Sequence, residues 1–176
     1  MKNHLGGKGA NLAEMASIGV PVPPGFTIKC EGCKVYEQNG NKMPADMVAE
    51  IETYLKRLEK KMDKELGNPA KPLLVSVRSG AAISMPGMMD TVLNLGLNEA
   101  TLEGMVKLTN NPRFGWDSYR RFIQMYSNIV MDMDHHKYEL ILTGFKKEKG
   151  YNLDTDMSVD DLKFLVGKYK EHYKSV

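Results

Sequence analysis

The segment 73–96 constrains the fold most, because it combines two strand signals with a glycine- and proline-containing loop. Apolar and β-branched residues at 73–77 predict a buried strand that ends at Arg78. Residues 92–95 predict a second strand, so that the loop between the strands is held at both ends. Beyond that strand the signal disappears and helical periodicity takes over. The sequence therefore predicts an α+β chain.

The loop after Arg78 has the composition of an anion-binding turn. Gly80 and the pair Pro86 and Gly87 are small or turn-forming residues that let main-chain amides face a ligand. A guanidinium matches phosphate oxygens bidentately, and backbone amides add partial positive charge. An ordinary hairpin with a surface arginine has the same pattern. On the residues alone, both interpretations stay open.

A second glycine cluster lies near the amino terminus, where residues 6–9 read Gly-Gly-Lys-Gly. Apolar residues at helical spacing between 12 and 18 predict a helix directly after it. Lys8 is thus predicted at a helix start, where the helix dipole and unpaired amides favour an anion. The longer glycine spacing of a P-loop is missing. A solvated turn is the alternative interpretation.

Elsewhere the periodicity predicts one further strand and several helices. Prolines at 21, 23 and 24 stop any helix and predict an extended strand at Phe26–Ile28. Amphipathic spacing and capping residues predict helices over the remaining segments. These helices are expected at 30–38, at 45–65, from Asn98 to about residue 107, from Asn111, at 136–149 and from Ser158.

Composition excludes several classes of protein. The 176 residues are 42% hydrophobic and 26% charged, an ordinary globular composition, and the net charge of +2 gives no reason to expect a nucleic acid or membrane partner. No apolar run approaches the roughly 20 residues of a membrane helix, and a signal-peptide core is not found. We expect a cytoplasmic protein, although an imported form without its transit peptide would look the same.

Cys30 and Cys33 form a Cys-x-x-Cys pair. A structural zinc site needs four ligands, and the chain offers no second pair at suitable spacing, so zinc is not expected. A redox role has more support, because the pair follows the strand-like residues 26–28 and would open a helix, where the pKa of a thiol can be lowered. Against that role, Glu31 lies between the thiols and no β-α-β pattern follows. Thiol titration distinguishes a redox pair from ordinary packing.

Several motifs carry a resemblance to a known family. Gly6–Met15, followed by Val20–Ile28, resembles the opening of the nucleotide-binding domain of the pyruvate, phosphate dikinases. VRSG at Val77–Gly80 and SMPGMMDT at Ser84–Thr91 resemble a later part of the same domain. Asn111–Val130 resembles the helical subdomain inserted there, so that Arg120 and Arg121 are expected to be structural or interface residues rather than catalytic ones.

The resemblance implies a set of nucleotide contacts. By position, Lys8 and Arg78 match the lysine and arginine that contact the phosphates of ATP in this family. The following loop would fold over the phosphates, with main-chain amides as donors. Its expected nucleotide-binding residues are Ser84, Gly87, Met88, Met89, Asp90 and Thr91.

The resemblance also implies an architecture. Residues 1–97 would form the first part of an ATP-grasp-like sheet-and-helix subdomain, and residues 98–176 a small helical bundle. The family converts ATP, phosphate and pyruvate into AMP, pyrophosphate and phosphoenolpyruvate through a phosphohistidine. On this interpretation the chain is an amino-terminal fragment, inactive alone, that lacks catalytic residues and the ligands for Mg²⁺. Its partners would be the second half of the nucleotide domain, a phosphohistidine domain and a carboxy-terminal barrel, in a homodimeric parent.

Two other functions remain open on the sequence. A water dikinase similar to phosphoenolpyruvate synthase shares the Val-Arg-Ser opening, although the SMPGMMDT loop favours the phosphate-using enzymes. A non-catalytic module, whose helical part docks another domain, is the second alternative. Such a module would be indifferent to substitution of Lys8 or Arg78.

Overall fold

A computed structural model of the chain describes residues 1–80 and 90–175. Seven α-helices, a two-stranded antiparallel sheet and a short 3-10 helix form the described part, which confirms the mixed α+β class. The elements are α1 (Lys2–Ser17), α2 (Glu31–Gln38), α3 (Ala45–Met62), β1 (Val75–Arg78), β2 (Thr91–Leu95), α4 (Glu99–Thr109), α5 (Pro112–Ile129), α6 (His135–Lys149), the 3-10 turn (Asp154–Asp156) and α7 (Val159–Lys174).

The chain divides into two compact units. Unit 1 consists of Met1–Glu65 and Arg78–Asp90, and unit 2 of Leu66–Val77 and Thr91–Val176. This division reflects compactness alone. The functional boundary expected after residue 97 is a separate matter and stays a prediction.

Unit 1 contains helices α1 to α3. One face of α3 is half-buried, at Met47, Ile51, Leu55 and Leu58. This confirms part of the amphipathic stripe that the sequence predicts, whose other members are exposed: Val48, Tyr54 and Met62. The helix ends at Met62, three residues earlier than predicted, because Asp63 adopts a left-handed conformation with φ 49°.

The predicted strand at Phe26–Ile28 is wrong. The backbone there has no regular secondary structure, and the side chains of Phe26 and Ile28 are exposed. Prolines do favour an extended chain, but a strand also needs a neighbouring strand for its ladder hydrogen bonds. Within the described residues, the only sheet pairs β1 with β2.

Unit 2 has an apolar core of two clusters between its helices. Tyr138 of α6 and Tyr169 of α7 are both fully buried, their ring centroids lie 4.9 Å apart, and the Tyr169 hydroxyl donates to the Tyr138 carbonyl at 3.2 Å. A second cluster joins α6 to α7 and contains Phe145, Met157, Leu162 and Leu165. The helices predicted from Asn98 onward are confirmed.

Local sequence signals fix the starts of three of these helices. Asn98 and Thr101 form a reciprocal capping box at α4, and Ser158 and Asp161 form another at α7. The Asn111 side chain accepts from the Phe114 amide, with proline at the first helical position of α5. All three starts were predicted from these cap residues.

A buried arginine ties α5 to the 3-10 turn. The Arg120 guanidinium, 2% exposed, donates to Asp117 at 2.8 Å and to Asp154 at 3.0 Å. Burial works against its charge, but the hydrogen bond and charge of Asp117 outweigh burial and raise the pKa of Arg120 above its ordinary value. Lys146 of α6 also donates to Asp154, at 2.9 Å. This network accounts for Arg120 as a structural residue.

The network predicts a pH-dependent contribution from Asp154. Burial raises its pKa, but the Lys146 hydrogen bond and the Arg120 charge outweigh burial and hold the pKa below the ordinary value. A lowered folded-state pKa stabilises the fold above the unfolded value of about 3.9, and this stabilisation disappears as pH falls through the folded value. Replacement of Asp154 by Asn should therefore lower the free energy of unfolding by about 1–2 kcal/mol near neutral pH, and the difference should shrink below about pH 4.

Urea unfolding followed by the fluorescence of Trp116, the chain's one tryptophan, measures this effect. Asp160→Asn is the matched control, because Asp160 is 91% exposed and contacts only Lys163 among the ion pairs of the described residues. This substitution should change the free energy of unfolding by no more than about 0.5 kcal/mol at every pH. If the free energy of unfolding depended on pH in the same way for the two variants, the prediction would be contradicted.

Candidate anion-binding site

Lys8 lies in the first turn of a helix that starts afresh at a glycine. Gly6 interrupts α1 with φ 69° and ψ 171°, a backbone conformation that an L side chain rarely adopts. The residues after it resume helical geometry, so their amides occupy a helix start. This confirms the predicted helix start. Lys8 itself is half-buried, and the turn has the positive partial charge that suits an anion.

The same turn packs closely against the segment that follows α1. A Cβ on Gly9 would lie 3.0 Å from Thr27 Cγ2 and 3.2 Å from Leu5 Cβ, so a larger residue would displace its neighbours. Glycine therefore permits this close approach. The sequence indicated the glycines but not the role of Thr27. No sequence pattern links Thr27 to Gly9, so their contact could not be predicted.

Arg78 is the last residue of β1 and is exposed. This confirms that a strand ends at Arg78. The prediction of a buried strand over residues 73–77 is wrong, because β1 begins only at Val75 and its residues from Ser76 onward are exposed on a sheet that has just two strands in the described part of the chain. Directly after Arg78, the Ser79 amide donates to the Asp90 carbonyl at 3.0 Å, and the Ser79 hydroxyl donates to the same oxygen at 3.2 Å. These bonds hold together the two ends of the segment between Ser79 and Asp90, as the sequence also predicted.

The residue after Ser79 approaches the amino-terminal helix. A Cβ on Gly80 would lie 3.9 Å from the Leu5 carbonyl oxygen, and Leu5 directly precedes Gly6. Two residues span at most about 7 Å, so the Arg78 backbone lies within that distance of Gly80. Gly80 and Leu5 both belong to unit 1, as do Lys8 and Arg78.

Of the other predicted nucleotide-binding residues, two are described. Asp90 is exposed and uses its carbonyl as the acceptor for Ser79, while Thr91 is half-buried as the first residue of β2. The remaining four lie outside the described residues: Ser84, Gly87, Met88 and Met89.

A hydrogen-bonded pair that the sequence did not reveal lies in the same unit. His4 Nδ1 and Glu31 Oε1 are 2.5 Å apart, and both side chains are largely exposed. A main-chain hydrogen bond at the start of α2, together with His4, holds the pKa of Glu31 below its ordinary value. The two residues are 27 positions apart, and no spacing rule links them.

No metal centre is found among residues 1–80 and 90–175, where no three His, Cys, Asp or Glu side chains converge. In the same part of the chain, no helix is long and apolar enough to cross a membrane. Two cations belong to the candidate site: Lys8 lies in a turn at a helix start, and Arg78 lies at a strand end.

Comparison with known proteins identifies the family. A family model described as "Pyruvate phosphate dikinase, AMP/ATP-binding domain" matches residues 2–175. The chain belongs to this family. The AMP/ATP-binding domain of this family supports ATP as the nucleotide.

Curated relatives carry the dikinase name. The chain is 56% identical over 173 residues to "Pyruvate, phosphate dikinase, chloroplastic" of Flaveria pringlei, and this match covers 98% of the chain. It is 54% identical over 175 residues to the chloroplastic dikinase 1 of Zea mays, and 52% identical over 174 residues to the dikinase of Clostridium symbiosum, with 99% of the chain covered in both. The chain spans only 18–20% of the length of these relatives.

Proposed function

We propose that this chain supplies ATP-phosphate contacts to a pyruvate, phosphate dikinase, and that Lys8 and Arg78 bind the same triphosphate. The observation that carries the proposal is the approach of Gly80 to the Leu5 carbonyl within unit 1. Gly80 lies two residues after Arg78, and Leu5 lies three before Lys8. Their proximity supports a common ligand for the two cations.

The two cations have complementary chemistry. The Arg78 guanidinium presents a planar fork that suits two phosphate oxygens, whereas the Lys8 ammonium acts as a compact charge beside a helix start. Transfer of a phosphoryl group needs its developing charge neutralised and its donor held in line. The segment Ser84–Thr91 would add main-chain donors around Gly87 and Met88, with Met89, Asp90 and Thr91 completing the turn over the phosphates.

For the longer protein we propose the pyruvate, phosphate dikinase reaction, after which the relatives are named. ATP, phosphate and pyruvate would give AMP, pyrophosphate and phosphoenolpyruvate through a phosphohistidine carried outside this chain. Residues 1–97 would contribute the first part of an ATP-grasp-like subdomain and residues 98–176 a helical subdomain. The partners would be the other half of the nucleotide domain, a phosphohistidine domain and a barrel, in a homodimer.

Magnesium and compartment belong to the same proposal. Mg²⁺ would accompany ATP, but the described residues offer no acidic cluster to hold it, so no step here is assigned to it. A cytoplasmic location stays a prediction, since the relatives include chloroplastic enzymes.

A chimaera tests this function. The chain replaces the matching 174-residue part of the Clostridium symbiosum dikinase, with which it shares 52% identity. We expect the chimaera to form AMP from ATP and phosphate without pyruvate, because that half-reaction needs only the nucleotide site and the histidine. Phosphorylation of the histidine by phosphoenolpyruvate is the internal control for an intact remainder.

A chimaera that keeps the phosphoenolpyruvate reaction but forms no AMP would contradict the proposal. The isolated chain should show no turnover and at best weak affinity for ATP. If the isolated chain phosphorylated a separately supplied histidine domain, its expected inactivity would be wrong.

A further inference from the structure

Two free thiols share the first turn of α2. Cys30 is the residue that precedes the helix, with φ −59° and ψ −28°, and the Cys33 amide donates to the Cys30 carbonyl at 3.1 Å. Cys33 is exposed and Cys30 is half-buried. Residues three apart on a helical turn lie on one face, with Cβ atoms about 5–6 Å apart. Because a disulfide needs Cβ atoms about 3.5–4.5 Å apart, a small closing movement suffices.

Contacts on both sides fix the backbone of this turn. The Cys30 amide donates to the His4 carbonyl at 2.7 Å. A Cβ on Gly32 would lie 3.1 Å from Ile28 Cγ2 and 3.3 Å from Met47 Cε, so the glycine packs directly against its neighbours. These contacts position the turn on which the two cysteines share one face.

Charged side chains and a helix start lie around the two thiols. Lys29 and Lys34 flank the pair directly in sequence, and the helix start adds partial positive charge. Glu31 carries the negative charge between the thiols, but its carboxylate is paired with His4 at 2.5 Å. The carboxylate that weighed against a redox role in the sequence is therefore engaged by a partner.

We propose that Cys30 and Cys33 form an oxidisable dithiol that exchanges with small disulfides such as glutathione disulfide. The exposed Cys33 thiolate attacks one sulfur of glutathione disulfide, forming a mixed disulfide and releasing one glutathione thiolate. The Cys30 thiolate then attacks the Cys33 sulfur and releases the second glutathione. The protein loses two protons and two electrons, and the oxidant becomes two glutathione thiols.

Mass spectrometry of the full 176-residue chain, after incubation with excess glutathione disulfide, tests the proposal. We expect the loss of two hydrogens in mass, no retained glutathione, and protection of both cysteines from alkylation. Dithiothreitol should restore both thiols. Retained glutathione on either cysteine, dimers joined by disulfides, or two unreacted thiols would each overturn the proposal.

Single substitutions test the order of the two steps. Cys30→Ser removes the resolving thiol, so a glutathione adduct should accumulate on Cys33 and persist at least about tenfold longer than any adduct of the unchanged chain. Cys33→Ser should react more slowly, because the remaining thiol is half-buried. If the glutathione adduct of Cys30→Ser disappeared as fast as the adduct of the unchanged chain, the proposed attack of Cys30 on the mixed disulfide would be refuted. Because neither variant changes Lys8 or Arg78, these results do not depend on the proposed nucleotide contacts.

Discussion

Replacement of Gly104 by Ala is expected to destabilise unit 2 by about 3–5 kcal/mol. Gly104 lies inside α4, where a Cβ would fall 1.7 Å from the Pro69 carbonyl oxygen and 2.7 Å from the Pro69 carbonyl carbon. Both atoms are backbone, so no side-chain rotation relieves the overlap. Either α4 or the segment around Pro69 has to move, and the core that includes Leu102 and Met105 has to move with it.

Gly167→Ala is the matched control. Gly167 is also inside a helix of unit 2, but a Cβ there would meet nothing within 4 Å. Because alanine is the better helix former, the free energy of unfolding of this variant should rise by about 0.5–1 kcal/mol. Urea unfolding followed by Trp116 fluorescence measures both variants. Equal effects of the two substitutions would show that α4 and Pro69 do not approach as described.

The second large effect is expected from Arg78 in the dikinase chimaera. Arg78→Ala should reduce the rate of AMP formation in the absence of pyruvate about 10²- to 10³-fold, because the phosphate charge loses a donor aimed at it. Lys8→Ala should lower the same rate. The rate of AMP formation by Arg78→Lys should lie between the rates of the unchanged chimaera and of Arg78→Ala. An ammonium keeps the charge but cannot bind two oxygens with a planar fork. Single-turnover formation of AMP is the measurement.

Arg57→Ala controls for the loss of a cation from the same unit. Arg57 is an exposed residue of α3 whose guanidinium lies 4.8 Å from the centroid of the Tyr54 ring. Its replacement should change the rate less than about twofold. If Arg78→Ala and Arg57→Ala behaved alike, with the phosphoenolpyruvate reaction intact in both, Arg78 would have no part in the nucleotide site.

The helices and their starts could be predicted because their signals are local. Asn98, Asn111 and Ser158 each cap a helix with a side chain that reaches only three residues along the chain. Such interactions depend on neighbouring residues and survive in any tertiary setting. The strand that ends at Arg78 and the helix start at Lys8 followed from short motifs in the same way.

Features that depend on distant partners could not be predicted. The extended segment at Phe26–Ile28 was expected to be a strand, but strand formation depends on a partner that the sequence does not specify. The approach of Gly104 to Pro69 and the pair of His4 with Glu31 also join separate segments. For the contact of Gly104 with Pro69, the only local indication is a glycine inside a predicted helix. For the pair of His4 with Glu31, the local sequence gives no indication.

The central claim is that Lys8 and Arg78 meet one triphosphate, and amide chemical shifts of the ¹⁵N-labelled chain test it most directly. The chain is titrated with ATP in the millimolar range, where weak binding is measurable, and separately with adenosine. The account predicts that the amides of residues 7–9 and 79–80 shift together, with one apparent Kd, for ATP and not for adenosine. A response of only one of the two segments to ATP, or equal responses to ATP and adenosine, would contradict it.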